Sequence, residues 1–208
     1  MNRRRPAAAV LLALAATAAL AGCGAPAPKA TPAATVAATS AAPAPAAKAV
    51  APLSRSEPVR VQAPSAGVDT GAGPVLKLGI AADGTVEVPS VADADRIGWY
   101  TKGVTPGETG PAVLIGHFDT EKGPAVLKDV AKVKVGDPIT VTRADGSRAV
   151  FTVRALEQVD KKTFPTQKVY GNTARPELRL ITCGGALVDG HRPDNIIVYA
   201  DLTATGRA

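Results

Sequence analysis

The stretch LRLITCGG, residues 178–185, decides the fold class. It is a short run of apolar and β-branched residues that ends at a cysteine followed directly by two glycines. Similar short runs rich in Val, Ile, Leu and Thr, separated by Gly, Pro and Asp, recur from residue 58 onward, as is typical of strands joined by tight turns. The sequence therefore predicts a mainly β protein.

Other segments also have the composition of strands. The best hairpin candidate joins Ile139–Arg143 to Arg148–Arg154 through a turn that contains Asp145 and Gly146. The remaining strand candidates are Val59–Val61, Thr85–Val88, Ala112–Ile115, Glu177–Thr182 and Asn195–Leu202. Helix candidates are confined to two short stretches, residues 92–96 and 125–131. We expect a single closed or nearly closed β-barrel of about eight strands with short helices.

The charge of the chain is unevenly distributed. The 208 residues include 24 Lys and Arg and 18 Asp and Glu, with an isoelectric point near 9.5. Much of the basic excess lies near the N-terminus, and from Pro58 onward there are 18 basic and 17 acidic residues. The predicted folded part is therefore nearly neutral, and we do not expect nucleic acid as a partner.

The N-terminus resembles a lipoprotein signal peptide. Three arginines at residues 3–5 precede an apolar run over residues 7–21, which is shorter than the roughly 20 residues that a membrane-spanning helix needs. The run ends in LAGC, residues 20–23, which resembles the bacterial lipobox, where the cysteine is acylated. We therefore expect a signal peptide over residues 1–22 and lipidation of Cys23. An ordinary secretory signal with an incidental cysteine is the alternative.

A tract rich in alanine and proline follows. Between Gly24 and Ser56, 20 of 33 residues are Ala or Pro, without aromatic residues or apolar periodicity. We expect residues 23–57 to be a lipidated tether and residues 58–208 to be the catalytic domain.

Cys183 and His117 are the candidates for nucleophilic chemistry. Each ends an apolar run and has glycine beside it, which leaves room for a substrate carbonyl to approach the backbone. A thiolate that attacks an acyl carbon and an imidazolium that protonates a leaving amine are what such catalysis needs. The alternatives are a small buried core cysteine and an ordinary polar histidine. The other histidine, His191, lies in a turn-rich stretch that is typical of a solvated loop.

The order of these residues resembles that of sortases. The run LITC, residues 180–183, is similar to the sortase signature strand, Gly116-His117 lies upstream, and Arg192 precedes the last strand, NIIVYA at residues 195–200. The runs IGWY (residues 97–100), GPAVLIGH (residues 110–117) and ITCGG (residues 181–185) are most similar to the class F sortases of actinobacteria.

The resemblance implies a fold, a reaction and a location. It implies an eight-stranded sortase barrel that needs no cofactor or metal and cleaves a Leu-Pro-x-Thr-Gly-type sorting signal on secreted proteins. Cys183 would attack the threonine carbonyl, His117 would protonate the departing amine and Arg192 would support the oxyanion. Thr182 and Gly184 would contact the substrate. A cell-wall amine would accept the peptide, and the lipid would hold the enzyme at the outer face of the membrane.

Some alternatives remain open at this point. Arg179 is a second arginine candidate, although we expect the Arg192 guanidinium within about 5 Å of the Cys183 sulfur because an antiparallel return brings Arg192 beside it. The acidic residues Asp119, Glu121 and Asp129 favour a solvated loop over a cation site. A cysteine L,D-transpeptidase is disfavoured because its Ser-His-Gly-Cys run is absent from the sequence. A lipoprotein that uses a sortase barrel only to bind peptides or wall components is the alternative from another functional class.

Overall fold

The computed structural model describes residues 39–40, 50–71 and 74–208. The predicted signal peptide over residues 1–22 and the lipidated Cys23 lie outside the described residues. Among the residues that are described, no helix is both long and apolar enough to cross a membrane.

One large curled sheet forms a half-barrel and dominates the structure. Its path runs β3-β2-β9-β10-β12-β11-β6-β5-β4, with β1 paired to β10, while β7 and β8 form a separate hairpin. The strands are β1 Thr39–Ser40, β2 Pro58–Ala63, β3 Val68–Asp69, β4 Leu76–Leu78, β5 Gly98–Tyr100, β6 Gly110–Ile115, β7 Asp119–Thr120, β8 Gly123–Pro124, β9 Pro138–Arg143, β10 Ser147–Asp160, β11 Pro176–Gly184 and β12 Asp194–Arg207. A short helix, α1, spans Thr166–Tyr170.

The β9–β10 hairpin forms where the sequence predicts it. Gly146 adopts a φ of 76° in the turn, which favours glycine, and the Asp145 carboxylate accepts hydrogen bonds from the backbone and hydroxyl of Ser147. Side chains in β9 alternate, so that Ile139 and Val141 are buried in the main core. The turn chemistry and the period of two therefore act together to fix this pair.

The centre of the sheet holds β6, β11 and β12. Strands β6 and β11 run parallel, with Ile115 opposite Ile181, and β12 pairs antiparallel with the other edge of β11. Strand β6 is buried along its whole length because both of its faces are covered. Parallel pairing places the carboxyl ends of β6 and β11 at the same edge of the sheet.

The mainly β prediction is confirmed, but the number of strands differs. The described residues form twelve strands, ten in the large sheet and two in the hairpin, rather than about eight. Residues 85–88 form no strand, because only one isolated bridge, from Ile80 to Val86, supports them. The two predicted helix segments instead contain single 3-10 turns, Val91–Asp93 and Val130–Lys132.

The last residues of the predicted tether contact the barrel. The backbone N–H of Leu53 donates to Gly107 at 2.8 Å, and the backbone N–H of Ser56 donates to the Thr105 hydroxyl at 3.1 Å. Leu53 also packs against the main core. The packed part of the chain therefore begins before residue 58, since an apolar side chain and two backbone hydrogen bonds hold this segment in place.

Candidate active site

Cys183 and His117 lie at matching positions of neighbouring strands. The β6–β11 register pairs Ile115 with Ile181, and Gly116 continues it by donating its N–H to the Ile181 carbonyl at 3.1 Å. His117 and Cys183 each follow two residues later, on strands whose usual separation is about 4.8 Å. Both side chains are half-buried. The fold thus brings together the two residues that the sequence singled out for nucleophilic chemistry.

A backbone carbonyl holds the His117 ring. The His117 Nε2 atom lies 2.6 Å from the carbonyl oxygen of Pro89. A carbonyl oxygen only accepts hydrogen bonds, so Nε2 carries a proton and donates it to this contact. The loop that contains Pro89 therefore fixes the orientation of the imidazole.

A largely apolar cavity lies over the ends of these strands. Its volume is about 660 Å³, and both His117 and Cys183 line it. Most of the other lining side chains are aliphatic or aromatic: Ile80, Val86, Val88, Tyr100, Ile115, Phe164, Tyr170 and Ile181. Such a cavity suits an apolar peptide segment that leads to the thiol.

The predicted substrate-binding residues flank the cysteine. Thr182 lines the cavity and is 3% exposed, and its hydroxyl has no hydrogen-bond partner among the described residues. Gly184 is buried as the last residue of β11. Gly185 has a φ of 83°, and a Cβ there would lie 2.9 Å from the Asp194 carboxylate. The Thr182 hydroxyl can therefore bind an incoming polar group, although contact with substrate stays a prediction for Thr182 and Gly184.

The Arg192 guanidinium is bound on several sides. It donates to the Asp119 carboxylate from Nε at 3.0 Å and from Nη2 at 2.6 Å, and from Nη1 to the Gly185 carbonyl at 2.6 Å. It also stacks over the Phe118 ring, with 4.5 Å from Cζ to the centroid. Arg192 is 4% exposed and is not among the described residues that line the cavity. Its catalytic role stays a prediction.

Lys161 reaches the cysteine, which the sequence did not indicate. Its ammonium lies 3.5 Å from the Cys183 sulfur and 2.7 Å from the carbonyl oxygen of Arg192. Lys161 is separated from Cys183 by 22 positions and lies in an ordinary polar stretch. Asn195 in β12 pairs with Cys183 in β11 and lines the cavity, and the sequence did not indicate this residue either.

The acidic residues that follow His117 bind cations of the protein itself. Asp119 pairs with Arg192, and Asp129 pairs with Lys128 at 2.7 Å and Lys132 at 3.0 Å. Hydrogen bonds from these two lysines hold the pKa of Asp129 below its usual value. Glu121 is exposed. No group of three or more side chains suited to holding a metal occurs among residues 50–71 and 74–208.

The other arginine candidate belongs to a separate buried cluster. Arg179 is 1% exposed and donates to Glu177 at 2.6 Å, while Arg154 donates to the same oxygen at 2.8 Å. The Arg179 guanidinium also lies over the Tyr199 ring, 4.8 Å from its centroid. These contacts give Arg179 a structural role on the strand that carries Cys183.

Comparisons with known proteins point to one family. A family model described as the sortase domain matches residues 61–203. Among solved structures, sortase A from Listeria monocytogenes superimposes with a TM-score of 0.52 at 19% identity, covering 73% of this chain and 90% of that one. The SrtA sortase from Actinomyces oris gives 0.53 at 22% identity, with coverages of 79% and 88%. A lid mutant of sortase A from Corynebacterium diphtheriae gives 0.55 at 19% identity, with coverages of 73% and 73%.

At these sequence identities the superpositions show that this chain shares its fold with the solved structures. Membership of the family is shown by the match to the family model. The structural neighbours include sortases of more than one class, since sortase C1 from Streptococcus agalactiae also superimposes, with a TM-score of 0.53 at 17% identity. No protein with a curated description matches this sequence.

Proposed function

This chain belongs to the sortase family, and from that membership we propose that it is a cysteine transpeptidase of the class F type. Its substrate is a Leu-Pro-x-Thr-Gly-type sorting signal of a secreted protein, and its acceptor is an amine of the cell wall. The observation that supports this proposal is that Cys183 and His117 lie at matching ends of parallel strands and line one apolar cavity.

The reaction has two acyl-transfer steps. The Cys183 thiolate attacks the threonine carbonyl, and the carbon–nitrogen bond to glycine breaks as His117 gives the departing amine a proton. This leaves a thioester between the enzyme and the peptide. The acceptor amine then attacks the thioester, loses a proton to His117 and releases the Cys183 thiolate.

Neighbouring groups support the charge that develops at the carbonyl. Arg192 acts as the third catalytic group, and its bound position beside Gly185 keeps it close to the glycines that follow the nucleophile. The buried hydroxyl of Thr182 and the backbone of Gly184 bind the peptide next to the thiol. The apolar lining excludes water from the thioester, which favours transfer over hydrolysis.

We also propose that the enzyme works outside the cytoplasm, attached to the outer face of the bacterial membrane through acylated Cys23. The apolar run over residues 7–21 and the lipobox-like LAGC at residues 20–23 support this location. The Ala/Pro-rich tract of residues 24–56 then spaces the barrel from the bilayer.

Incubation of the full chain with a library of Leu-Pro-x-Thr-Gly-like peptides and several amine acceptors tests the proposal. Mass spectrometry should identify cleaved peptides, acceptor adducts and a thioester on the peptide that contains Cys183. Cys183→Ala should abolish cleavage and transfer while circular dichroism stays unchanged. If the wild type binds peptides without cleaving any of them, the chain is a binding lipoprotein and the enzyme proposal is wrong.

A further inference from the structure

The ammonium of Lys161 makes two contacts next to the nucleophile. It donates to the Cys183 sulfur at 3.5 Å and to the Arg192 carbonyl at 2.7 Å, and Lys161 lines the cavity that His117 and Cys183 share. A lysine at this distance from sulfur contacts the atom that would form the thioester.

The sheet fixes the position of Lys161. Strand β10 ends at Asp160, which pairs with Asp194 at the start of β12, and the backbone N–H of Lys161 continues this pairing by donating to Pro193 at 3.0 Å. On the other edge of β12, Asn195 pairs with Cys183. Lys161 and Cys183 thus flank the start of one strand, and the lysine side chain crosses it to reach the sulfur.

Charged and titratable groups line the cavity or lie on the elements next to the cysteine. They are His117 after β6, Tyr100 in β5, Tyr170 in α1, Lys161 after β10, Asp194 in β12, and Arg192 with its partner Asp119. Among the described residues that line the cavity, Lys161 is the only lysine, arginine or carboxylate. The Asp119 carboxylate offsets the charge of Arg192, whereas the atoms that Lys161 is shown to contact are a sulfur and a neutral carbonyl oxygen.

We propose that Lys161 is an electrostatic partner of Cys183 that stabilises negative charge on its sulfur. A cation within hydrogen-bonding distance favours the charged form of a thiol over the neutral form. That the Cys183 thiolate takes part in peptide transfer rests on the proposed function. The effect of Lys161 on the reactivity of the Cys183 sulfur does not depend on that function. The residue acts through Cys183, so its effect is on the pH profile of the sulfur.

The test measures how fast iodoacetamide alkylates Cys183 in the full chain as a function of pH, followed by mass analysis of the peptide that contains Cys183. In Lys161→Met, alkylation at neutral pH and low salt should be slower, by up to about fivefold because the lysine is exposed to solvent. The whole profile should move to higher pH. The difference from the wild type should shrink at high salt, because ions screen an exposed charge.

Two further variants separate charge from structure. Lys161→Arg keeps a cation and should keep most of the rate. Lys162→Met removes the neighbouring exposed charge and should leave the profile unchanged. If Lys161→Met matches the wild type at every pH, the proposal is overturned. It is also overturned if Met and Arg variants are slowed equally and without dependence on salt, since the lysine would then only tie the loop at Arg192.

Peptide transfer is measured separately on the same proteins. Wild-type chain that shows the lysine-dependent alkylation profile but cleaves no peptide would refute the proposed function and leave this inference standing. If the wild type transfers peptides but its alkylation profile is the same with and without Lys161, the proposed function stands and this inference is refuted. If circular dichroism shows that Lys161→Met does not fold, the wild type and Lys161→Arg are compared at low and high salt instead. Alkylation profiles that do not change with salt would overturn the proposal.

Discussion

Arg192 and Asp119, which are 73 positions apart, form a paired contact at the edge of the candidate active site. Two nitrogens of the guanidinium donate to the carboxylate, at 3.0 Å and 2.6 Å. The arginine side chain is 2% exposed and that of the aspartate is 24% exposed. A planar guanidinium held in this way has a fixed direction, so the pair positions the arginine as well as offsetting its charge.

Asp119→Asn keeps the shape of the side chain and removes its charge. Because hydrogen bonds to a charged partner are lost around a buried arginine, the free energy of unfolding should fall by about 1.5–3 kcal/mol. Urea denaturation measures this loss. Glu121→Gln, an exposed carboxylate in the same hairpin region, is the matched control and should change stability little. Equal denaturation midpoints for the two variants would contradict the importance of the pair.

Arg192→Ala should reduce turnover of a sorting peptide on the order of a hundredfold, comparable to the loss of an oxyanion donor. Both variants should lower stability, Arg192→Ala because it breaks the pair with Asp119 and Arg179→Ala because it removes one of the three arginines that pair with Glu177. Only Arg192→Ala should reduce turnover in molecules that remain folded. Peptide transfer rates and urea denaturation of both variants check this division. Should folded Arg179→Ala lose activity while Arg192→Ala keeps it, the catalytic assignment belongs to Arg179.

The sequence predicted that Cys183 and His117 lie near the ends of strands, because each ends an apolar run. A strand end can be recognised from a few neighbouring residues alone. It could not predict Lys161 or the partner of Arg192, because those contacts join residues that are 22 and 73 positions apart. The strands of two or three residues, such as β4 and β5, are too short for an alternating pattern to be recognised. Residues 85–88 were predicted to form a strand from their β-branched composition, but no neighbouring strand pairs with them along their length.

The stability of the domain should depend on the ionisation of Glu177. Burial raises the pKa of Glu177, but hydrogen bonds from Arg179 and Arg154 lower it more, so the pKa lies below its ordinary value. The unfolded chain therefore binds the proton more tightly. The stabilisation that ionised Glu177 gives to the folded state is fully present above the unfolded pKa, near 4.5, and is lost as pH falls through the folded pKa.

Glu177→Gln should accordingly lower the free energy of unfolding by about 3 kcal/mol at neutral pH, because it breaks a buried ion pair. The difference in unfolding free energy from the wild type should begin to narrow below about pH 4.5, where the unfolded chain takes up the proton, and should be smallest once the pH has fallen below the lower folded pKa. Urea denaturation across the acidic range tests this. Glu57→Gln, whose side chain is 49% exposed beside Lys77, should show a much smaller gap. If the difference in unfolding free energy between Glu177→Gln and the wild type does not change with pH, ionised Glu177 does not stabilise the fold in this way.

Acylation of Cys23 is expected from the lipobox-like sequence at residues 20–23. Metabolic labelling with a fatty-acid probe should mark the wild type and leave Cys23→Ser unmarked, and the mature protein should begin at residue 23. Cys183→Ser, labelled in parallel, should still carry the probe because it retains Cys23. A mature form that begins elsewhere or still contains residues 7–21 would refute lipid anchoring.

Gly116 connects the core to His117, and no larger residue fits there without displacement. A Cβ at this position would lie 2.8 Å from Ile97, 2.9 Å from Val126 and 3.0 Å from Leu127, all within van der Waals overlap. Ile97 and Leu127 are buried in the main core and have little room to move. Strain from overpacking should therefore cost Gly116→Ala about 1–3 kcal/mol of stability.

The same strain should reach the candidate active site. The Gly116 N–H donates to Ile181, so a backbone shift at Gly116 changes how His117 sits beside the end of β11. Gly116→Ala should lower peptide transfer in molecules that remain folded, since small misplacements of a catalytic group cost large factors in rate. Gly206→Ala is the matched control, because a Cβ there meets its nearest atom, on Arg148, only at 4.0 Å. Indistinguishable denaturation midpoints and transfer rates for the two variants would show that close packing at Gly116 does not hold His117 in register.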